Sequence, residues 1–242
     1  MLNKLKAKGF DIRALHHAEA IIEHDLPAAL EDLEAALLPV RITAEELVRG
    51  GGGEGQFTQR LRKTLADSHG WKKHSFEIKK LVDGKQTESL THEIDHVKEF
   101  AGGTFALEIE WNNKDPFFDR DLENFKRLHS EGVISVGGIV TRGVSLHEGM
   151  AEIIEGFARR RGLDNVAQVR EFYRPTQRQE ELIAKAVKAC GSFDRGWARA
   201  FVADKFGEAT THWRKLEERI HRGVGNPCPL LLVGIPRSTV VL

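Results

Sequence analysis

Three carboxylates carry the strongest chemical pattern in the sequence. In Phe105-Ala106-Leu107-Glu108-Ile109-Glu110-Trp111 the residue types alternate, so a β-strand puts Phe105, Leu107, Ile109 and Trp111 on one face and Ala106, Glu108 and Glu110 on the other. Taken alone, a Glu-x-Glu pair fits a solvated sheet face. Asp95 changes that reading, because it lies on the preceding strand of a hairpin that turns at Ala101-Gly102-Gly103 and can face both glutamates across the sheet. Three acids around one point call for a cation. A hard divalent ion such as Mg²⁺ suits them, since it takes oxygen ligands, keeps several waters and accepts phosphate as a further ligand.

The elements that must position these acids follow from periodicity. Three- and four-residue spacing predicts helices over 12–23 and 28–38, stopped by Pro39. Gly50 to Gly53 reads as a flexible connector, lacking the Gly-Lys-Ser/Thr ending of a phosphate cradle, and 56–68 as a helix ended by Gly70. From Ser75 the period becomes two. Val82-Asp83-Gly84-Lys85 supplies turn chemistry, and 90–100 returns as a second strand before the acidic one. A helix over 119–130 and an apolar strand over 133–141 come next. Helices near 148–161, 177–190, 194–206 and 211–222 and a short strand over 230–235 complete the pattern. The expected fold class is α/β, a mixed sheet flanked by helices.

Composition narrows the function classes. Of 242 residues, 40% are hydrophobic and 30% charged, which fits neither a disordered chain nor a membrane protein. The N-terminal stretch lacks an apolar signal region, and two cysteines form no disulfide framework, so a reducing, cytoplasmic setting is expected. Net charge is zero, but residues 1–155 carry 20 basic against 27 acidic side chains while 156–222 carry 15 against 9. An acid-rich site can therefore sit beside a surface that attracts phosphates.

The acidic pattern resembles the PD-(D/E)xK nuclease core. Here it stands as Ile94-Asp95, twelve intervening residues, then Glu108-Ile109-Glu110, with Ile for the proline and Glu for the lysine of the name. That last departure, with the run from Ala106 to Leu122, is similar to the BglII and BstYI branch of the type II restriction endonucleases, which is related to BamHI. The resemblance is specific over 70–145. It implies a restriction-endonuclease-like core and Mg²⁺-dependent hydrolysis of double-stranded DNA at a short palindrome, GATC-centred by that resemblance. It also implies a homodimer and a companion DNA methyltransferase protecting the same site. Asp95 and Glu108 would hold Mg²⁺ with the main-chain carbonyl of Ile109, and Glu110 would position or deprotonate the attacking water. A fourth acid sometimes lies upstream, for which Glu77 is the candidate.

On this reading the chain is one nuclease domain, with N-terminal helices (1–69), a catalytic core (70–145) and a helical, basic DNA-contacting region (146–242). Asn113 and Lys114 would support the scissile phosphate or simply form a polar turn before Pro116. DNA-contact candidates are Arg142, Lys205, Thr210, Thr211, His212 and Arg214; the threonines serve equally as helix N-caps.

One rival is strong in letters. His92-Glu93-Ile94-Asp95-His96 matches the His-Glu-x-x-His zinc metalloprotease signature, whose chemistry requires a helix to put both histidines on one face. A repair nuclease of the same core and a non-catalytic DNA-binding protein are the other readings. The last leaves the three acids without a purpose.

Overall fold

The structure is a computed structural model that describes residues 1–49 and 54–242, so the Gly50–Gly53 run lies outside the described residues. The chain opens with α1 (Asn3–Ala7), β1 (Asp11–Leu15), α2 (Ala18–His24) and α3 (Pro27–Leu37). Next come β2 (Ile42–Thr43), α4 (Ala44–Val48) and α5 (Gln56–Lys63), which continues as a π-helical turn, Thr64–Ser68. The strands β3 (Lys72–Val82), β4 (Lys85–Phe100) and β5 (Gly103–Glu110) form a meander, followed by α6 (Phe117–Ser130) and β6 (Val136–Arg142). Helices α7 (Val144–Arg161), α8 (Val166–Val169), α9 (Gln177–Cys190), α10 (Phe193–Lys205) and α11 (Trp213–His221) precede β7 (Leu230–Ile235) and β8 (Val240–Val241). Among the described residues no helix is long and apolar enough to cross a membrane.

Six strands make one mixed sheet in the order β1-β7-β6-β5-β4-β3. The β5, β6 and β7 strands are parallel and central, while β1, β4 and β3 run antiparallel to their neighbours. Both faces are covered, as a parallel centre requires. One face buries Phe105, Leu107, Ile109, Val140 and Val233 against α2, α3, α5, α7 and α10. The other buries Ala106, Ile139, Leu230 and Leu232 under α6 and α11, whose Phe118, Leu122, Phe125, Trp213 and Leu216 complete that layer. The face carrying Glu108 and Glu110 is this second, covered one. It is not the solvated face that a lone Glu-x-Glu pair would suggest.

Residues 12–23, expected to be one helix, divide into strand β1 and helix α2. Antiparallel pairing of Asp11–Leu15 with β7 satisfies the sheet edge, and the partner outweighs local spacing. Asp83 and Gly84 both have positive φ, which fits the two-residue turn joining β3 to β4.

Gly137 of β6 lets α6 approach the sheet, and Gly138 leaves room for β5 side chains on the opposite face. A Cβ added at Gly137 would lie 2.6 Å from Cγ of Phe125, and one at Gly138 would lie 2.8 Å from a Leu107 methyl. Gly137→Val should therefore cost about 2 kcal/mol by overpacking and lower Tm by roughly 6 °C in a thermal melt. An unchanged Tm would show that α6 does not depend on this close approach.

Candidate active site

The acids converge because β4 and β5 pair antiparallel in a register that opposes His96 to Leu107, one step beyond which Asp95 meets Glu108. The Asp95 backbone N–H donates to Glu108 Oε1 at 3.3 Å. Between the pairs Lys72↔Val97 and His74↔Ile94, β4 carries two residues, Asp95 and His96, against one on β3. This β-bulge re-aims the local side chains, as bulges beside functional sites do. Glu108 and Glu110 are 4% and 3% exposed, whereas Asp95 is half-buried.

A fourth acid comes from α6. Asp121 is wholly buried, and its Oδ2 has no hydrogen-bond partner among the described residues. Burial, together with the nearby Asp121 and Asp95 charges, pushes the Glu108 carboxyl up to about 9. Burial and Asp121 likewise raise the pKa of Glu110, and burial raises that of Asp121. Four acids with an unmet oxygen lone pair form a donor set that fits a hard divalent cation.

Two arginines from different helices answer part of this charge. Arg62 of α5 reaches Asp95 Oδ1 at 3.1 Å and Glu54 at 3.0 Å. Arg120 of α6 donates from Nε to Asp121 Oδ1 at 2.7 Å, and its Nη2 lies 3.4 Å from Glu110 Oε1. Asn113 Nδ2 donates to Glu110 Oε2 at 2.7 Å. These groups open onto a cavity of about 850 Å³ whose walls include Arg62, Asp95, Glu110, Asn113, Phe117 and Arg120. Asp121, Arg120 and Arg62 were not among the residues singled out from sequence. A signal for Asp121 did exist, since it stands on the apolar stripe of Phe118, Leu122 and Phe125, where an acid has no business without a partner.

Several residues expected to touch DNA are engaged internally. Arg142 is wholly buried: its Nε donates to the Trp111 carbonyl at 2.9 Å, and its Nη2 to the Thr211 carbonyl at 2.8 Å and to Thr210 Oγ1 at 2.6 Å. Thr211, also buried, accepts the Asn113 N–H on Oγ1 at 3.1 Å and donates its own N–H to the Asn113 carbonyl at 2.8 Å. Thr210 donates to the Gly207 carbonyl at 2.7 Å and bridges Lys114 across a single β-pairing. Arg142, Thr210 and Thr211 thus clamp the turn after β5, fixing Asn113 beside Glu110. Lys205 donates to the carbonyls of Leu47 and Arg49, both at 2.8 Å, and burial lowers its pKa to about 8. His212 is buried and stacked on His147 with ring centroids 3.7 Å apart. Arg214 alone of this set is well exposed, paired with Glu148.

Glu77 stands apart from the acid group. It pairs with Thr91, four residues or roughly 13 Å along the hairpin from the Asp95 row, and it is bound to Lys79 at 2.9 Å and Ser89 at 3.2 Å. The fourth acid beside Glu110 is Asp121, downstream instead of upstream.

The His-Glu-x-x-His match fails on geometry. His92 and His96 lie on β4, about 13 Å apart along the strand, and cannot share one ion as helical neighbours would. His147, Glu208 and His212 do bring donor atoms within 4.8 Å of one another. However, the two rings are parallel to within 5°, so their in-plane lone pairs do not converge, and the buried Arg142 charge bears on His212. None of the three lines the acidic cavity.

The raised Glu108 pKa has a stability consequence. An acid whose pKa is higher folded than unfolded binds extra protons in the native state, so stability falls as pH rises from about 5 to 9. Without divalent ions, Glu108→Gln should flatten that slope and raise Tm by roughly 5 °C at about pH 8. A variant that melts as wild type across this range would contradict the buried-acid account.

No curated protein matches the chain. The family model described as restriction endonuclease BglII/BglIII matches residues 10–235, spanning the sheet, the acid cluster and the helices that cover it. Six mixed strands flanked by helices on both faces are the expected restriction-endonuclease-like core. With a match over nearly its full length, the chain belongs to the BglII/BglIII restriction endonuclease family.

Proposed function

We propose that the chain is a sequence-specific type II restriction endonuclease that hydrolyses phosphodiester bonds of double-stranded DNA with Mg²⁺. The observation that carries this reading is the group of buried carboxylates, Glu108, Glu110 and Asp121 with Asp95 at the edge, of which Glu110 and Asp95 line an open cavity. Asp95, Glu108 and the Ile109 carbonyl are the groups that would hold the ion. When bound, Mg²⁺ supplies charge neutralisation at the phosphate and at the departing oxygen. Glu110 orients and deprotonates the attacking water, and burial suits it to that task by raising its pKa toward neutrality. As the water oxygen bonds to phosphorus, one ester P–O bond breaks and its oxygen leaves with a proton. Asn113, held by Thr211 and donating to Glu110, keeps that carboxylate in one orientation.

A restriction function also brings a recognised palindrome, GATC-centred by the family resemblance, and a methyltransferase that modifies it. A palindrome presents two equivalent scissile bonds, which a two-fold homodimer matches. On this reading residues 1–242 act as one nuclease domain. A repair nuclease of the same core would cut without sequence selection. Digesting a defined plasmid with Mg²⁺ and sequencing the ends separates these outcomes, because discrete cut sites support restriction and random ends oppose it.

Asp95→Ala and Glu108→Ala should each lower cleavage by at least ~10³-fold while leaving the protein folded; near-normal cutting by either would refute the ion-holding assignment. Sedimentation with a short specific duplex should give two chains per duplex. A one-to-one complex that cuts both strands together would overturn the dimer.

A further inference from the structure

We propose that Arg120 is a catalytic residue that contacts the scissile phosphate and supplies the positive charge missing from the strand position occupied by Glu110. The assignment rests on the phosphodiesterase reading above and deepens it. Asp95 and Glu110 line the cavity, with Glu108 and Asp121 buried beside them, and a phosphate entering it gains further negative charge as the water attacks. A lysine at position 110 would offset this locally, but the side chain there is acidic. A protein cation therefore has to come from elsewhere in the fold.

The cavity has few candidates. Lys205 is engaged by two backbone carbonyls, and Arg49 is paired with Glu45. Arg62 uses Nη1 on Glu54 and Nη2 on Asp95, so both ends of its fork are occupied. Arg120 is arranged differently. Its Nε is anchored on Asp121, which is itself immobilised in the core, and its guanidinium stacks on the Phe117 ring at 4.4 Å. Nη2 lies 2.7 Å from Asp121 Oδ1 and 3.4 Å from Glu110 Oε1, and among the described residues Nη1 makes no hydrogen bond. The side chain is 53% exposed and lines the cavity. An arginine fixed at Nε, at Nη2 and at its ring face, with Nη1 left unused, presents the N–H groups of that nitrogen and its fixed charge to a phosphate oxygen. Asp121 is then the positioning residue, and its burial makes the anchor rigid.

The test measures single-turnover cleavage, duplex binding and Tm for the full chain and its variants. Arg120→Ala should cut ~10²- to 10³-fold more slowly, with duplex binding within about fivefold of wild type and Tm unchanged. Arg120→Lys should retain roughly a tenth of the rate, because a flexible point charge replaces the anchored guanidinium. Free guanidinium ion, below denaturing concentration, should restore part of the Arg120→Ala rate and leave Asp95→Ala inactive, a response that a purely structural arginine would not produce. An Arg120→Ala protein that cuts within about fivefold of wild type, or loses folding and binding in proportion to cutting, overturns the assignment. A wild-type protein that cuts no duplex with any divalent ion overturns the phosphodiesterase reading and this assignment with it, whereas cutting by wild type with no guanidinium rescue of the slowed variant overturns the assignment alone.

Discussion

Like charge held out of water is the constraint around which this molecule is organised. Glu108, Glu110 and Asp121 are each less than 5% exposed and face one another across the junction of β5 and α6. Burying even one unpaired carboxylate is costly, and the protein answers by raising its pKa or by finding a cation. Both responses are visible: the two glutamates are shifted toward the protonated form, and Arg62 of α5 and Arg120 of α6 pair with the acids. Such an arrangement is poor design for stability alone. It makes sense where an ion and a phosphate complete the charge balance.

Much of the surrounding structure serves to hold that arrangement. Parallel pairing of β5 with β6 seats the acidic strand centrally, and Gly137 lets Phe125 of α6 press against the sheet so that Asp121 reaches the glutamates. The bulge at Asp95 and His96 adjusts the neighbouring strand. Beyond Glu110 the chain turns at once, and the turn is secured from below by Arg142, a buried cation whose charge is met by backbone carbonyls and a threonine hydroxyl instead of a carboxylate. That clamp also joins Thr211 to Asn113 and Asn113 to Glu110, so a backbone bracket and the acid site are continuous. Basic residues in the C-terminal half therefore divide between building the scaffold, as Arg142 and Lys205 do, and remaining at the surface, as Arg214 does.

Local pattern alone determined a good deal. Alternation fixed β5 and the shared face of Glu108 and Glu110, because a strand's side chains have a period of two whatever they pack against. The hairpin turn at residues 101–103 set Asp95 opposite Glu108, since antiparallel register follows from turn position. Most helices from α3 onward were legible from their apolar stripes, and the family resemblance in residues 94–122 followed from the same short segment.

Tertiary structure decided the rest. β1 exists because β7 offers it a partner, a pairing over two hundred residues away that no local spacing encodes. The covered state of the acidic face depends on α6 and α11 folding over it, so the same alternating strand could equally have faced water. Asp121 and Arg120, only eleven and ten residues beyond Glu110, join the site through helix packing, and Arg62 arrives from the preceding helix. Arg142 and His212 read as polar contacts in the sequence yet are buried, because charge and residue type are properties of the chain while burial is a property of its neighbours. Strand periodicity is local and survives in the letters; the meeting of charges from separate elements is set by packing distance, which the letters do not carry.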